Sequence, residues 1–262
     1  MDRTAAGQFV ATMASQAATA ALGSQALAAE SSRSARLPES AGPDFAPIAR
    51  NDTLDRAANF TIALAALILV SPLMLLTALA VKLTSPGPAM YTQSRVGRDR
   101  RRSSERDPGE RRRSNFGGGL FTIYKFRSMR TDAESQGQAV WAVQNDPRVT
   151  PIGAVLRKSR LDELPQLLNV LKGDMNIVGP RPERPQIFVE LSQQIADYPL
   201  RALAKPGITG LAQINHTYDT CIESVRVKVR YDLEYLRTAT LWTDLRIMVM
   251  TLPVMLLRKG GW

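Results

Sequence analysis

The chain has 262 residues, of which 34 are Lys or Arg and 24 are Asp or Glu, so its net charge at neutral pH is +10. This length holds one sizeable domain or two small ones, and the basic balance favours anionic partners such as nucleic acid, anionic lipid or phosphorylated substrates. The single cysteine, Cys221, excludes an intrachain disulfide, and its spacing to the single histidine, His216, matches no usual zinc site.

Residues 1–53 are predicted to be a disordered N-terminal tail. The segment is rich in Ala, Ser and Gln and poor in aromatic residues, so it buries too little apolar surface to fold. Polar residues interrupt the stretch before 26–29, which excludes the apolar run of a secretory signal.

Residues 60–81 contain no charge and match the roughly 20 residues that cross a bilayer. Two features argue against a straight span. Ser71 and Pro72 lie at the middle, where proline removes a backbone hydrogen bond, and both flanks are basic, which favours two cytoplasmic ends. From these residues alone, a span and a re-entrant hairpin broken at Ser71-Pro72 are equally compatible with the sequence.

Two strands are predicted next, at 89–94 and at 120–127, separated by a basic insert over 95–119. Within the insert, 95–113 carries nine Arg against four Asp and Glu. Its ordinary interpretation is a solvated loop, and contact with anionic lipid head groups is the functional alternative. No aromatic residue is interleaved among the arginines, so no nucleic-acid partner is expected. On the second strand, Lys125 and Arg127 share a face, as a solvated edge or a phosphate-binding pair.

The stretch 157–182 concentrates the chemistry. A helix is predicted over 150–159, with Thr150 as its cap and Pro151 at its first position. A second, amphipathic helix follows the adjacent carboxylates Asp162 and Glu163. Asp162 has a purely structural interpretation, as the N-cap of that helix.

The chemical interpretation starts from an acidic pair in a basic frame. An Asp carboxylate is a known nucleophile toward phosphoryl groups. Magnesium takes one or two carboxylates together with substrate phosphate oxygens, which suits Glu163. Arg157 and Arg181 are candidates to hold phosphate oxygens. Arg181 stands between Pro180 and Pro182, which restrict its backbone.

The remainder is predicted as a helix over 183–198, a turn or loop over 205–210, a charged helix over 224–237 and an apolar, amphipathic segment over 241–257. The last segment either packs on the core or lies in the membrane interface.

The quoted residues together resemble the bacterial sugar transferase family, the monotopic phosphoglycosyl transferases that initiate exopolysaccharide assembly. The resemblance covers roughly residues 54–258. It rests on the following motifs: Ser71-Pro72 in an apolar helix, S-P-G-P (85–88), Y-K-F-R-S-M (124–129), L-D-E-L-P-Q-L-L-N-V-L-K-G-D-M (161–175), V-G-P-R-P (178–182) and K-P-G-I-T-G-L-A-Q-I-N (205–215).

The resemblance implies a mainly helical α+β fold. It comprises a re-entrant membrane helix over 54–84 and a cytoplasmic catalytic domain over 85–262, with interfacial amphipathic helices and a small sheet around the active site. The location implied is the bacterial inner membrane.

It also implies transfer of sugar-1-phosphate from a nucleoside-diphosphate sugar, a UDP-hexose, to undecaprenyl phosphate, with Mg²⁺. Asp162 is then the nucleophile that forms an aspartyl-phosphosugar intermediate, and Glu163 the magnesium ligand. Arg157, Arg181 and Lys125 match basic positions of the family.

Three departures from the family are evident: the N-terminal tail, the long basic insert, and the residues after Asn215, which lack the Gly-Arg common in relatives and bear on the sugar. Two other functions are weighed against the transferase: a non-catalytic membrane scaffold of a polysaccharide assembly system, and a metal-dependent nucleotide-sugar hydrolase.

Overall fold

The computed structural model describes residues 41–42, 45–99, 117–133, 146–216 and 221–256, without the side chains of 255 and 256. The elements in chain order are α1 (Asp52–Thr84), β1 (Met90–Val96), β2 (Leu120–Phe126), α2 (Pro151–Ser159), a 3₁₀ turn (Leu161–Glu163), α3 (Gln166–Lys172), β3 (Asn176–Val178), α4 (Pro185–Gln194), a 3₁₀ segment (Tyr198–Leu203), β4 (Gly207–Thr209), α5 (Leu211–Asn215), α6 (Ile222–Thr238) and α7 (Leu241–Leu256). The prediction of a mainly helical fold with little sheet is confirmed.

Helix α1 packs one face along the body of the protein. Near its start, Arg56 donates to the carbonyl oxygens of Val170 and Leu171. Near its end, Val81 is completely buried in a cluster with residues of β2 and α2. The opposite face is exposed and apolar, with the following residues: Leu64, Ile68, Leu69, Leu75, Leu76 and Leu79. The helix therefore contacts the same body at both ends and turns a continuous apolar surface outward.

Pro72 lies inside this helix, which is continuous from Asp52 to Thr84. The Ser71 hydroxyl donates to the Ile68 carbonyl at 2.9 Å, the oxygen that a backbone N–H at residue 72 would have reached, so the side chain supplies the missing donor. Within the described ranges, α1 is the one helix long and apolar enough to cross a membrane. The re-entrant hairpin stays a prediction.

Strands β1 and β2 pair antiparallel, from Met90 opposite Phe126 to Val96 opposite Leu120. Helix α3 is fixed to β2 by Asn169, which is fully buried. Its Nδ2 donates to the Thr122 carbonyl at 2.7 Å, and its Oδ1 accepts from the Tyr124 N–H at 3.0 Å. The Asn169 side chain thus bonds one carbonyl and one N–H of β2, the backbone groups that a neighbouring strand would otherwise bond.

Strands β3 and β4 form a second, parallel pair that the sequence does not predict. Residues 205–210, expected to be a loop, contribute Gly207–Thr209 to it. Glycine is required by the close approach of the two chains, because a Cβ on Gly207 would meet the backbone N of Gly179, and a Cβ on Gly179 would meet the Lys205 carbonyl oxygen. Three-residue strands carry too little alternation to be recognised from sequence.

The predicted tail reaches too far along the chain. Residues 1–40 lie outside the described part, but 45–50 pack on the body: the Ile48 N–H donates to the Leu236 carbonyl at 2.9 Å. Arg50 bonds Asp55 at 2.5 Å and Asp244 at 2.7 Å. Leu236 and Asp244 lie far along the chain from these residues, so the composition of the tail does not reveal the contacts with them. Most of the basic insert, 100–116, also lies outside the described residues.

Helix α7 confirms the amphipathic pattern of 241–257. Ile247 is buried, with 2% of its surface exposed, and packs in a cluster with β3 and α6. The outer face consists of exposed apolar residues: Leu241, Trp242, Leu245, Val249 and Leu252. The ion pair between Arg50 and Asp244 joins the start of α7 to the segment before α1.

Replacing Asn169 by Ala is expected to lower the free energy of unfolding by about 2–4 kcal/mol, because it removes a fully buried side chain and both of its hydrogen bonds to the backbone of β2. Urea unfolding of the detergent-solubilised protein measures the change. Lys172→Ala, at an exposed position of the same helix, is the matched control and should change stability by less than about 0.5 kcal/mol. Equal effects of the two substitutions would contradict the role of Asn169.

Candidate active site

The acidic pair lies on a tight turn between α2 and α3. Helix α2 begins as predicted, with Thr150 Oγ1 accepting from the Gly153 N–H at 3.0 Å, and it ends at Arg160, whose φ of 59° and ψ of 13° are left-handed. This conformation costs a non-glycine residue about 1–2 kcal/mol. The reversal at Arg160 leads directly into the 3₁₀ turn, where Asp162 and Glu163 are 7% and 8% exposed.

Asp162 does not cap a helix. Helix α3 starts at Gln166, Pro165 occupies its N-cap position, and neither α3 nor the preceding 3₁₀ turn has a side-chain capping hydrogen bond. The interpretation of Asp162 as a helix cap is therefore wrong. The chain reaches α3 through a 3₁₀ turn, so Asp162 lies a full turn before the position that a cap requires.

Glu163 is bound by two cations from distant parts of the chain. Lys125 Nζ lies 2.7 Å from Oε1, and Arg181 places its guanidinium 2.5 Å from Oε1 and 3.3 Å from Oε2. Burial alone would raise the pKa of Glu163, but Arg181 and Lys125 outweigh burial and hold that pKa well below its usual range. Burial lowers the pKa of Lys125. Glu163 is thus an ionised carboxylate across the physiological range.

Asp162 is in the opposite situation. Its carboxylate forms no hydrogen bond or ion pair with any described residue. Burial, and secondly the charge of Glu163, raise the pKa of Asp162 to about 6. Two neighbouring carboxylates therefore have pKa values shifted in opposite directions, which is the arrangement expected when they have different chemical tasks. The oxygens of Asp162 remain able to form a new bond.

The loop that carries Arg181 is anchored through its own carbonyl groups. The Gly207 N–H donates to the Pro180 carbonyl at 3.0 Å. Arg95 donates to the Pro182 carbonyl at 3.1 Å, and Arg201 to the Arg181 carbonyl at 3.1 Å. Pro180 and Pro182 are themselves buried. The prolines thus fix the loop, and only the arginine side chain reaches Glu163.

Two buried ion pairs behind this loop have no signal in the sequence. Arg201, which is 3% exposed, bonds Asp232 of α6 at 2.7 Å. Lys228 of α6 bonds Glu183 at 2.8 Å. These partners lie 31 and 45 residues apart in the chain, and no local pattern brings a charged residue of α6 to the Arg181 loop. Both pairs hold that loop to α6.

The remaining predicted site residues separate into two groups. Arg157 is half-buried on α2 and forms no ion pair with the described residues, and its charge acts on Asp162. Arg127 is buried and turns away from the acidic pair: it donates to the carbonyls of Ser85 and Pro86 at 2.8 and 2.6 Å. Of these two cations, Lys125 on β2 and Arg127 directly after it, only Lys125 contacts a site carboxylate.

A magnesium ion fits the donors of the acidic pair. No group of three or more His, Cys, Asp or Glu side chains forms a metal site within the described ranges, so magnesium would depend on substrate oxygens, as it commonly does. A carboxylate offers about four lone-pair positions. Glu163 uses two at Oε1 and one at Oε2, so Oε2 retains capacity for a metal.

The sequence model of the bacterial sugar transferase family matches residues 50–258. The chain belongs to this family.

Three similar proteins are named as undecaprenyl-phosphate sugar transferases or as an exopolysaccharide production protein. The chain is 40% identical over 208 residues to the UDP-N-acetylgalactosamine-undecaprenyl-phosphate N-acetylgalactosaminephosphotransferase of Aeromonas hydrophila, over 79% of this chain and 45% of the relative. It is 42% identical over 204 residues to the UDP-glucose:undecaprenyl-phosphate glucose-1-phosphate transferase of Escherichia coli K12, over 77% and 40%. It is 36% identical over 216 residues to the exopolysaccharide production protein PSS of Rhizobium leguminosarum bv. phaseoli, over 79% and 98%.

This bacterial sugar transferase therefore spans less than half the length of the first two relatives and, with 79% of its own chain, nearly all of the third. Family membership confirms the resemblance stated from the motifs. The roles of the individual residues stay predictions.

Asp162→Asn is expected to stabilise the protein at pH 8 by about 1–2 kcal/mol, because it removes an unpaired buried charge. The pKa of Asp162 in the fold, about 6, lies above the ordinary pKa of 3.8 for an aspartate. Ionisation therefore weakens the wild-type fold as pH rises through 6, and the difference between the proteins vanishes below about pH 4. Urea unfolding across this range measures it.

Glu163→Gln is the matched control with the opposite sign. The pKa of Glu163 is depressed in the fold, so its ionised form stabilises the protein above the unfolded pKa, and the substitution is expected to destabilise it at pH 8. Equal destabilisation by both substitutions would contradict the separate environments of the two carboxylates.

Proposed function

We propose that this protein transfers a sugar-1-phosphate from a UDP-hexose to undecaprenyl phosphate, releasing UMP, as the initiating step of exopolysaccharide synthesis. The main support is the environment of Asp162. Its buried carboxylate has no partner among the described residues, and it lies next to Glu163, which is bound by Lys125 and Arg181. The names of the relatives support the two substrates, since they specify UDP-sugars and undecaprenyl phosphate.

The proposed reaction has two displacements at one phosphorus atom. An Asp162 oxygen attacks the phosphorus that bears the sugar, a bond forms between them, and the anhydride bond to UMP breaks, so that UMP leaves with the electron pair. This gives an aspartyl-phosphosugar. An anionic oxygen of undecaprenyl phosphate then attacks the same phosphorus, the bond to Asp162 breaks, and the carboxylate is regenerated.

The basic residues position the phosphates in this scheme. Arg157 forms no ion pair in the described part of the chain and its charge acts on Asp162, which supports a role for it in binding a phosphate oxygen. Arg181 and Lys125 already converge on Glu163, so their positive charges lie where the transferred phosphoryl group must enter. Pro180 and Pro182 serve the binding indirectly, by restricting the Arg181 loop. Arg127 serves the turn after α1 rather than the substrate.

Magnesium is proposed as the cofactor. When bound by Glu163 together with diphosphate oxygens, it neutralises phosphate charge.

We propose a monotopic arrangement in the inner membrane, with α1 re-entrant at Ser71-Pro72 and the catalytic domain, 85–262, in the cytoplasm. Both ends of α1 contact the body of the protein, which supports this arrangement. A helix that spanned the bilayer would have its two ends on opposite sides of the membrane, and only one of them could contact a domain on the cytoplasmic side. The exposed apolar faces of α1 and α7 are then the surfaces that meet lipid.

Purified protein with radiolabelled UDP-glucose or UDP-N-acetylgalactosamine, undecaprenyl phosphate and Mg²⁺ is expected to form a lipid-linked sugar diphosphate. Asp162→Asn should reduce this transfer by at least about 1,000-fold, because the amide is a far poorer nucleophile. The wild-type rate should fall as pH drops below about 6, where Asp162 becomes protonated. Extraction of the lipid product, at several pH values, measures both effects.

The products separate the alternatives. A hydrolase would release free sugar phosphate without lipid acceptor, and a scaffold would show no turnover that Asp162→Asn could reduce. Full activity of Asp162→Asn would exclude the covalent route, and turnover that survived EDTA would exclude the magnesium role of Glu163.

Cysteine labelling tests the topology. In a Cys221→Ser background, Thr53→Cys and Lys82→Cys place thiols near the two ends of α1, at exposed positions. Both are expected to react with a membrane-impermeant maleimide only from the cytoplasmic side, in inverted vesicles. Reaction of the two positions from opposite sides would exclude the re-entrant arrangement.

A further inference from the structure

Gln166, the first residue of α3, has a buried side chain that lacks a hydrogen-bond partner. It is 1% exposed, and its Nε2 atom has no partner in the described structure. Buried polar groups are almost always paired, because losing water without a replacement is costly. An unpaired buried amide at this position therefore requires an explanation.

The position of Gln166 in the chain indicates an explanation. Gln166 follows Asp162 by four residues and Glu163 by three. The 3₁₀ turn ends at Glu163, and Leu164 and Pro165, which both have right-handed helical backbone angles, lead into α3. Residues three and four apart lie on one side of a helix, so the amide lies one turn beyond both carboxylates. Asn169, three residues further on, lies on the same side and is fully bonded to β2.

Gln166 and Asn169 are two amide side chains of the same helix. Both amides of α3 are almost completely buried, yet one has two backbone partners and the other leaves its donor unused. Two unpartnered groups of the described structure thus lie four residues apart in the chain: an acceptor at Asp162 and a donor at Gln166. A phosphoryl group attacked by Asp162 carries the oxygens that such a donor lacks.

We propose that Gln166 is a catalytic residue whose side-chain N–H donates to a non-bridging oxygen of the phosphoryl group attacked by Asp162. This inference rests on the proposed function. Because its Nε2 has no partner in the described structure, Gln166 gives up no hydrogen bond when it donates to the charge that develops on the phosphoryl oxygens. The basic residues recognise the overall charge of the diphosphate, whereas Gln166 addresses one oxygen.

Gln166→Met in the full-length, detergent-solubilised chain removes the donor and keeps a similar side-chain volume. Its kcat/KM for transfer from UDP-glucose is expected to fall about 100-fold. Its unfolding midpoint in urea should stay equal or rise, because no buried donor is left unpaired. Gln186→Met, the same change at an exposed position of α4, should leave both quantities unchanged.

A Gln166 that only fills space in the core predicts a different result. A kcat/KM within about twofold of wild type, in a variant that unfolds at or above the wild-type midpoint, would overturn the proposal. Gln166→Leu is the second apolar variant should Gln166→Met unfold more easily.

A binding measurement distinguishes failure of the proposed function from failure of the role proposed for Gln166. If wild type makes no lipid-linked product, calorimetric titration with UDP-glucose compares Asp162→Asn with Asp162→Asn combined with Gln166→Met. Affinity weakened about fivefold by the second substitution would uphold Gln166 as the donor to the diphosphate, and equal affinity would overturn it.

Discussion

The Glu163 carboxylate, bound by Lys125 and Arg181, is the interaction on which the rest of the site depends. It joins the end of β2, the 3₁₀ turn after α2 and the loop after β3, which are separated by 38 and 18 residues in the chain. A buried ion pair of this kind is costly to break, because either partner alone would be left as an uncompensated buried charge. The second cation makes the cluster net positive, which suits an anionic substrate.

The scaffold serves this cluster at each of its three points. Asn169 fixes β2 to α3 so that Lys125 reaches the carboxylate. Arg201, which forms a buried ion pair with Asp232 of α6, donates a hydrogen bond to the Arg181 carbonyl. The left-handed residue Arg160 directs the chain into the turn. Conformational strain and buried charge are both concentrated where the carboxylates lie, as is common at functional sites.

The outer surfaces have a different organisation. Helices α1 and α7 each pack one face on the body and expose an apolar face, and Arg50 links the segment before α1 to the start of α7 through Asp244. The site and these two exposed apolar faces therefore belong to one folded body. The proposed reaction requires this, because a lipid-linked acceptor and a water-soluble donor substrate would have to reach the same carboxylate.

The sequence by itself determined the elements that local patterns specify: the apolar helix with its Ser71-Pro72 pair, the capped helix at Pro151–Ser159, the aromatic strand before Arg127, and the acidic pair in a basic frame. These follow from periodicity, capping and charge spacing, which act over a few residues. Only the tertiary structure decided which charged residues meet. It directed Lys125 and Arg127 to different partners although they lie two residues apart, showed that Asp162 caps no helix, and brought Arg201 to the Arg181 loop. Such pairings join residues far apart in the chain. Only the fold creates the burial that raises the pKa of Asp162 and brings Arg181 and Lys125 to Glu163, where they lower its pKa.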